Sequence, residues 1–220
     1  MIQAILFDLD DTLYLEKEFV VSGYRAVARK VAATCGCDFA AAFDCMMYSL
    51  QTAGRRAVFS DLLACFPTIP FTINDLVWTY REHVPMIELM PGYGQLLQQL
   101  RKNYRLGIIT DGLPATQHNK VRALGIESLF DRIIYSWDYG HERQKPHPYS
   151  FTVMTEFLQL PPESMLFVGD NPEKDGRGAT AAGMKFIRVM SPPTETTPYM
   201  DGENVLGNLL QLPQILKNEN

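Results

Sequence analysis

The chain has 220 residues, 46% hydrophobic and 20% charged, which gives enough apolar side chains for a sizeable core and too few charges for a disordered chain. Its formal net charge of -5, with Lys and Arg scattered along the chain, argues against a partner that is a nucleic-acid polymer. No apolar run approaches the ~20 residues of a membrane span, and the N-terminus lacks the basic region and small-residue cleavage site of a signal peptide, so a cytoplasmic protein with no membrane partner is expected.

In chain order, Ile2 to Leu9 reads as a near-continuous apolar strand, with Ala4, Ile5, Leu6 and Phe7 in a row, the pattern of a parallel strand covered on both faces. Its carboxyl end turns abruptly acidic. From about Glu16 to His83 the pattern is helical: Val20, Tyr24, Val27, Ala28 and Val31 recur along one face. A second periodic stretch runs from Phe39 to Cys65, and Pro67, Pro70 and Thr72 break it. Thr72, with Asp75 three residues on, predicts a cap for a short helix near Leu76 to Tyr80. The four cysteines, Cys35, Cys37, Cys45 and Cys65, fall in this first third without histidines to complete a zinc site, and are expected to be reduced and structural.

From Pro91 onward apolar strands at Leu106 to Thr110, Ile133 to Tyr135, Met165 to Val168 and Phe186 to Val189 alternate with helical segments, and Leu206 to Leu216 reads as a closing helix. This alternation predicts an α/β fold, a parallel sheet with helices on both faces, into which an all-helical block of about 70 residues is inserted after the first strand. Residues 1–14 with 91–220 form the expected core and residues 15–90 the insertion, with junctions near Tyr14 and Met90-Pro91-Gly92.

Ligands of open α/β sheets bind beyond the carboxyl ends of the strands, and here those ends are polar. The first ends in Asp8-Leu9-Asp10-Asp11-Thr12, the second in Thr110-Asp111-Gly112, and the fourth in Gly169-Asp170-Asn171 with Asp175 a turn further on; Lys145 lies in the loop Gln144-Lys145-Pro146 before another helix. Period-two alternation aims Asp8 and Asp10 to the same side, where they repel unless a cation intervenes. Asp170 adds a third oxygen donor, and such a hard anionic set suits Mg²⁺, while the lack of His or Cys in these motifs argues against zinc. One strand-end aspartate alone reads as a helix cap. Four acidic residues, a lysine and a threonine at one end of one sheet read as a site.

These motifs, in this order, resemble those of the haloacid dehalogenase superfamily: Asp8, Asp10 and Thr12 match the first, Thr110 the second, Lys145 the third, and Gly169-Asp170 through Asp175 the fourth. The long insertion after the first motif resembles the helical-cap branch, and the wording Asp-Leu-Asp-Asp-Thr-Leu and Ile-Thr-Asp-Gly resembles its phosphatases. The resemblance implies a Rossmann-like core with a helical cap, and a Mg²⁺-dependent phosphatase acting on a small phosphorylated metabolite such as a sugar phosphate, a sialic-acid phosphate or a nucleotide. It implies Asp8 as nucleophile and Asp10 as acid and base. It further implies metal ligation by Asp8, the Asp10 carbonyl and Asp170 with Asp175 orienting them, and phosphoryl binding by Thr110, Lys145 and backbone N–H groups around Asp111 and Gly112.

A sugar phosphomutase shares the four motifs and stays open as an alternative, as does a catalytically silent binding module, whereas Asp10 speaks against a true dehalogenase. Arg55 and Arg56 read either as substrate contacts or as a solvated helix face, and Tyr14, Glu16 and Lys17 follow the first motif where the family's entrance flap lies. His118, His141 and His147 lack metal-site spacing, and His147 is expected in the first turn of the helix after Lys145. A monomer or a homodimer is expected.

Overall fold

The computed structural model describes residues 1–192 and 205–218. The strands are β1 (Ala4–Phe7), β2 (Arg105–Thr110), β3 (Arg132–Tyr135), β4 (Met165–Gly169), β5 (Lys185–Val189) and β6 (Val205–Leu206), and they form one parallel sheet in the order β3-β2-β1-β4-β5-β6. The helices are α1 (Glu16–Cys35), α2 (Phe39–Thr52), α3 (Val58–Cys65), α4 (Ile73–Glu82), α5 (Tyr93–Leu100), α6 (Pro114–Leu124), α7 (Tyr149–Leu158), α8 (Arg177–Ala181) and α9 (Leu212–Asn218). The fold is a Rossmann-like α/β sheet with a helical insertion. Among the described residues no helix is long and apolar enough to cross a membrane.

Chain contacts divide the molecule into two compact units, Met1–Glu16 with Glu88–Asn220, and Lys17–Ile87. In the first, every residue of β1 is buried, and Ala4 and Leu6 pack with Ile109, Ile134 and Phe167 from neighbouring strands and Phe151, Met154 and Leu158 of α7. In the second, Val20, Tyr24, Val27, Ala28 and Val31 of α1 form a core with Ala42, Met46, Leu62 and Leu76 from the other helices. The Thr72 hydroxyl accepts from the Asp75 N–H while the Asp75 carboxylate accepts from the Thr72 N–H, the reciprocal cap expected for α4.

Several boundaries differ from the sequence expectation. The strand expected over Ile2 to Leu9 is ordered as Ala4–Phe7, and the chain turns beyond Asp8, where Thr12 and Leu13 donate back to the Leu9 carbonyl. The stretch Phe39 to Cys65 is two helices, broken beyond Ala53 at Gly54, whose φ of 81° no helix accommodates. The closing segment Leu206 to Leu216 is not one helix: Val205 and Leu206 pair with Arg188 and Val189, Asn208 caps a 3-10 turn, and Pro213 can sit only in the first turn of α9. His147 precedes α7, whose cap is Pro148.

Topology puts the polar motifs side by side. β1 lies between β2 and β4, so the chain leaving it at Asp8 runs next to Thr110 at the end of β2 and to Gly169-Asp170 at the end of β4. Adjacent parallel strands lie about 4.8 Å apart, so three strand ends already bring these residues within reach of one ligand.

Candidate active site

Asp8 extends the line of β1, its N–H donating to the Val168 carbonyl at 2.9 Å. Lys145 arrives from the far side of β2, and Asp111 ties it down: Asp111 Oδ1 accepts from Ser136 Oγ at 2.6 Å, just beyond β3, and from the Lys145 N–H at 3.1 Å. The side chain of Lys145, only 3% exposed, donates to Asp8 Oδ1 (2.5 Å) and to the Ile109 carbonyl (3.1 Å) and forms an ion pair with Asp175 Oδ1 (2.7 Å). An ammonium is buried only when so surrounded.

Asp175, 1% exposed, sits in the wide single turn Pro172–Gly176, which Asn171 caps by accepting from the Glu173 and Lys174 N–H groups. Its Oδ2 accepts from the Asn171 N–H at 3.1 Å. The glycine of Gly169-Asp170 is explained by this approach: a Cβ at 169 would stand 2.3 Å from Asp175 Oδ2.

Asp8, Asp170 and Asp175 each offer a carboxylate oxygen within 4.8 Å of the others. Burial first, then the charges of Asp175 and Asp11, push the Asp170 carboxyl up to about 6. Burial also raises Asp8, as do Asp175 and Asp10, against the pull of Lys145. Burial opposes the charge on Lys145, yet Asp175, Asp8 and Asp111 hold its pKa above the ordinary ammonium value. A cavity of about 320 Å³ opens here, and seven of its ten lining residues are Asp or Glu against two lysines. An anionic ester is repelled from such a pocket unless a cation is added. The donor set, oxygen atoms alone and short of positive charge even with Lys145 in place, fits a hard divalent ion such as Mg²⁺.

Asp10 lines the same cavity, but its carboxylate lies outside that group of three. Asp8 and Asp10 thus face one cavity, as alternation along the strand end leads one to expect, while the Asp10 carboxylate itself is turned to α6. There Lys120 Nζ donates to Asp10 Oδ1 at 2.7 Å and Gln117 Nε2 to Oδ2 at 2.8 Å, while the Tyr14 hydroxyl also donates to Oδ1. Burial opposes its charge, and Lys120, with Tyr14 and Gln117, nevertheless holds the Asp10 carboxyl below its usual value.

Thr110 is fully buried and accepts from Gln117 at 2.6 Å, Gly112 follows with a φ of 129°, and Thr12 donates to Asp8 Oδ2 at 3.4 Å. Gln117, Lys120 and Ser136 escape the sequence reading, Asn171 is named there only as part of a polar strand end, and Tyr14 is a buried partner of Asp10 rather than an entrance residue. The one sequence signal for the α6 pair was its spacing: residues three apart share a helix face.

The family described as haloacid dehalogenase-like hydrolase matches residues 5–189. The chain is 32% identical to a glyceraldehyde 3-phosphate phosphatase of Methanocaldococcus jannaschii, over 99% of this chain and 98% of that one. It is 29% identical to human N-acylneuraminate-9-phosphatase over 56% of this chain and 50% of the relative. The crystal structure of a HAD phosphatase from Thermococcus onnurineus shares the fold, with a TM-score of 0.62, 24% identity and 98% of each chain covered. The chain belongs to the haloacid dehalogenase-like hydrolases, and among them it is a phosphoric monoester hydrolase.

Proposed function

We propose that the enzyme is a Mg²⁺-dependent phosphatase that releases phosphate from a small phosphorylated metabolite through an aspartyl phosphate on Asp8. The observation that carries this reading is the division of labour between two carboxylates in one cavity: Asp8 stands among Lys145, Asp170 and Asp175, while Asp10 is held apart by α6. A nucleophile and a separate proton carrier are what a two-step displacement needs.

Asp8 Oδ1 is held by Lys145 at 2.5 Å and Oδ2 accepts only the longer 3.4 Å bond from Thr12, so Oδ2 is the oxygen that forms the bond to phosphorus while the ester P–O bond breaks. Asp10, protonated when the ester is bound, gives that proton to the departing alcohol oxygen, then takes one from the water that splits the aspartyl phosphate, so the carboxylic acid is restored. The negative charge of the incoming ester raises the proton affinity of Asp10 for the first of these steps. Lys145 and the Thr110 hydroxyl hold the phosphoryl oxygens, with the backbone N–H groups of Asp111 and Gly112. Asp8, the Asp10 carbonyl and Asp170 would hold Mg²⁺, with Asp175 orienting Lys145 and the loop at Asn171; the ion, when bound, offsets charge so that a carboxylate can approach a phosphate.

The inserted unit Lys17–Ile87 is the cap in this reading. Glyceraldehyde 3-phosphate is the first substrate to test, because the full-length relative carries that activity in its name. Phosphate release from it, from other sugar phosphates, from nucleotides and from sialic-acid phosphate, with Mg²⁺ and with EDTA, tests the proposal. Free phosphate that disappears with EDTA and with Asp8→Asn in a folded protein supports it. Substantial Mg²⁺-dependent release by Asp8→Asn, or isomerisation of a sugar phosphate in place of release, contradicts it.

A further inference from the structure

Helix α6 buries two polar side chains that the four motifs do not include. Gln117 is 2% exposed and Lys120 4% exposed, in a helix that also buries Val121. Burying an amide and an ammonium is costly unless each is fully engaged. Here the engagement is with reacting groups. Gln117 Nε2 donates at 2.8 Å to Asp10 Oδ2 and at 2.6 Å to Thr110 Oγ1, one hydrogen to each, and Lys120 Nζ donates at 2.7 Å to Asp10 Oδ1. The amide cannot be turned over, because its oxygen would then face the Asp10 carboxylate. Thr110, accepting from Gln117, keeps its own proton to give.

We propose that Gln117 and Lys120 are positioning residues for catalysis: they fix the Asp10 carboxylate clear of the Asp8, Asp170 and Asp175 group and, through Gln117, set it in register with the phosphoryl-binding hydroxyl of Thr110. This inference rests on the assignment of Asp10 as acid and base. Both side chains act through Asp10 and Thr110. Their effect is therefore greatest where the leaving group needs a proton.

The test compares kcat/KM for glyceraldehyde 3-phosphate, whose alkoxide must be protonated, with kcat/KM for p-nitrophenyl phosphate, whose phenolate leaves without a proton. Both are measured for Lys120→Met, Gln117→Met and Asp10→Asn, with circular dichroism as a check of folding. The expected loss for Lys120→Met is about 10²-fold on the alkyl ester and under about tenfold on the nitrophenyl ester, with a smaller loss of the same selectivity for Gln117→Met. Equal losses on both esters, or none on either, overturn the inference. Should Lys120→Met fail to fold, Gln117→Met, which removes no charge, decides alone. If Asp10→Asn is selective and neither α6 variant is, only this inference fails; if Asp10→Asn is itself unselective, the acid and base assignment falls and takes the inference with it.

Discussion

Replacing Lys145 by Met keeps most of the buried stem and removes the ammonium, which donates to Asp8 and the Ile109 carbonyl and is ion-paired with Asp175. What remains is two buried carboxylates facing each other, with Asp170 close by. Removing one partner of a buried ion pair costs about 3–5 kcal/mol. In a domain of this size each kcal/mol moves Tm by about 2–4 °C, so the variant should melt roughly 6–20 °C lower in EDTA. Thermal unfolding with and without Mg²⁺ is the assay. Because the carboxylates lose their competing cation, Mg²⁺ should raise the variant's Tm by more than it raises that of the wild type, while phosphate release stays lost. A Tm in EDTA within about 2 °C of the wild type would refute the account of Lys145 as the internal counter-ion of the site.

Three further outcomes are expected. Gly169→Ala places a methyl 2.3 Å from Asp175 Oδ2, which must move and take Lys145 with it; kcat should fall about 10²-fold with the fold intact by circular dichroism, and an unchanged kcat contradicts this. Asp111→Ala removes the oxygen that joins Ser136 to the Lys145 N–H, so the loop loosens and stability drops by about 1–3 kcal/mol, measured by urea unfolding; a change within error would show that the loop holds itself. Asp170, raised to about 6 in the metal-free protein from 3.8, contributes stability that is present below its unfolded value and lost as pH rises through 6. Mg²⁺ competes for the same oxygen, so its effect on Tm should be small near about pH 5 and larger near about pH 7.5, and an equal effect at both would contradict the role of Asp170.

The elements that can be read in the sequence are those whose pattern is local. The unbroken apolar run of β1 reflects burial on both faces, and Thr72 with Asp75 marks the start of α4 because the cap needs only residues three apart. β6 has two residues, too few to carry a period, and its pairing with β5 is a contact across the chain. The site divides in the same way. Strand-end aspartates announce themselves next to apolar runs, whereas Lys145 reaches Asp8 through a tie to Asp111 that no spacing encodes. Gln117 and Lys120 look like solvated helix positions in sequence, and only the turn of Asp10 toward α6 makes them interior. Alternation along the strand end leads one to expect Asp8 and Asp10 to face one cavity, as they do, but it does not name the helix that the Asp10 carboxylate meets.

Rapid quenching of a single turnover with glyceraldehyde 3-phosphate and Mg²⁺, followed by peptide mapping, tests the assignment of Asp8 most directly. The account predicts a hydroxylamine-sensitive phosphoryl group on Asp8 that rises and decays as free phosphate appears. Phosphate released with no carboxylate ever labelled, or a label on another residue, would contradict it.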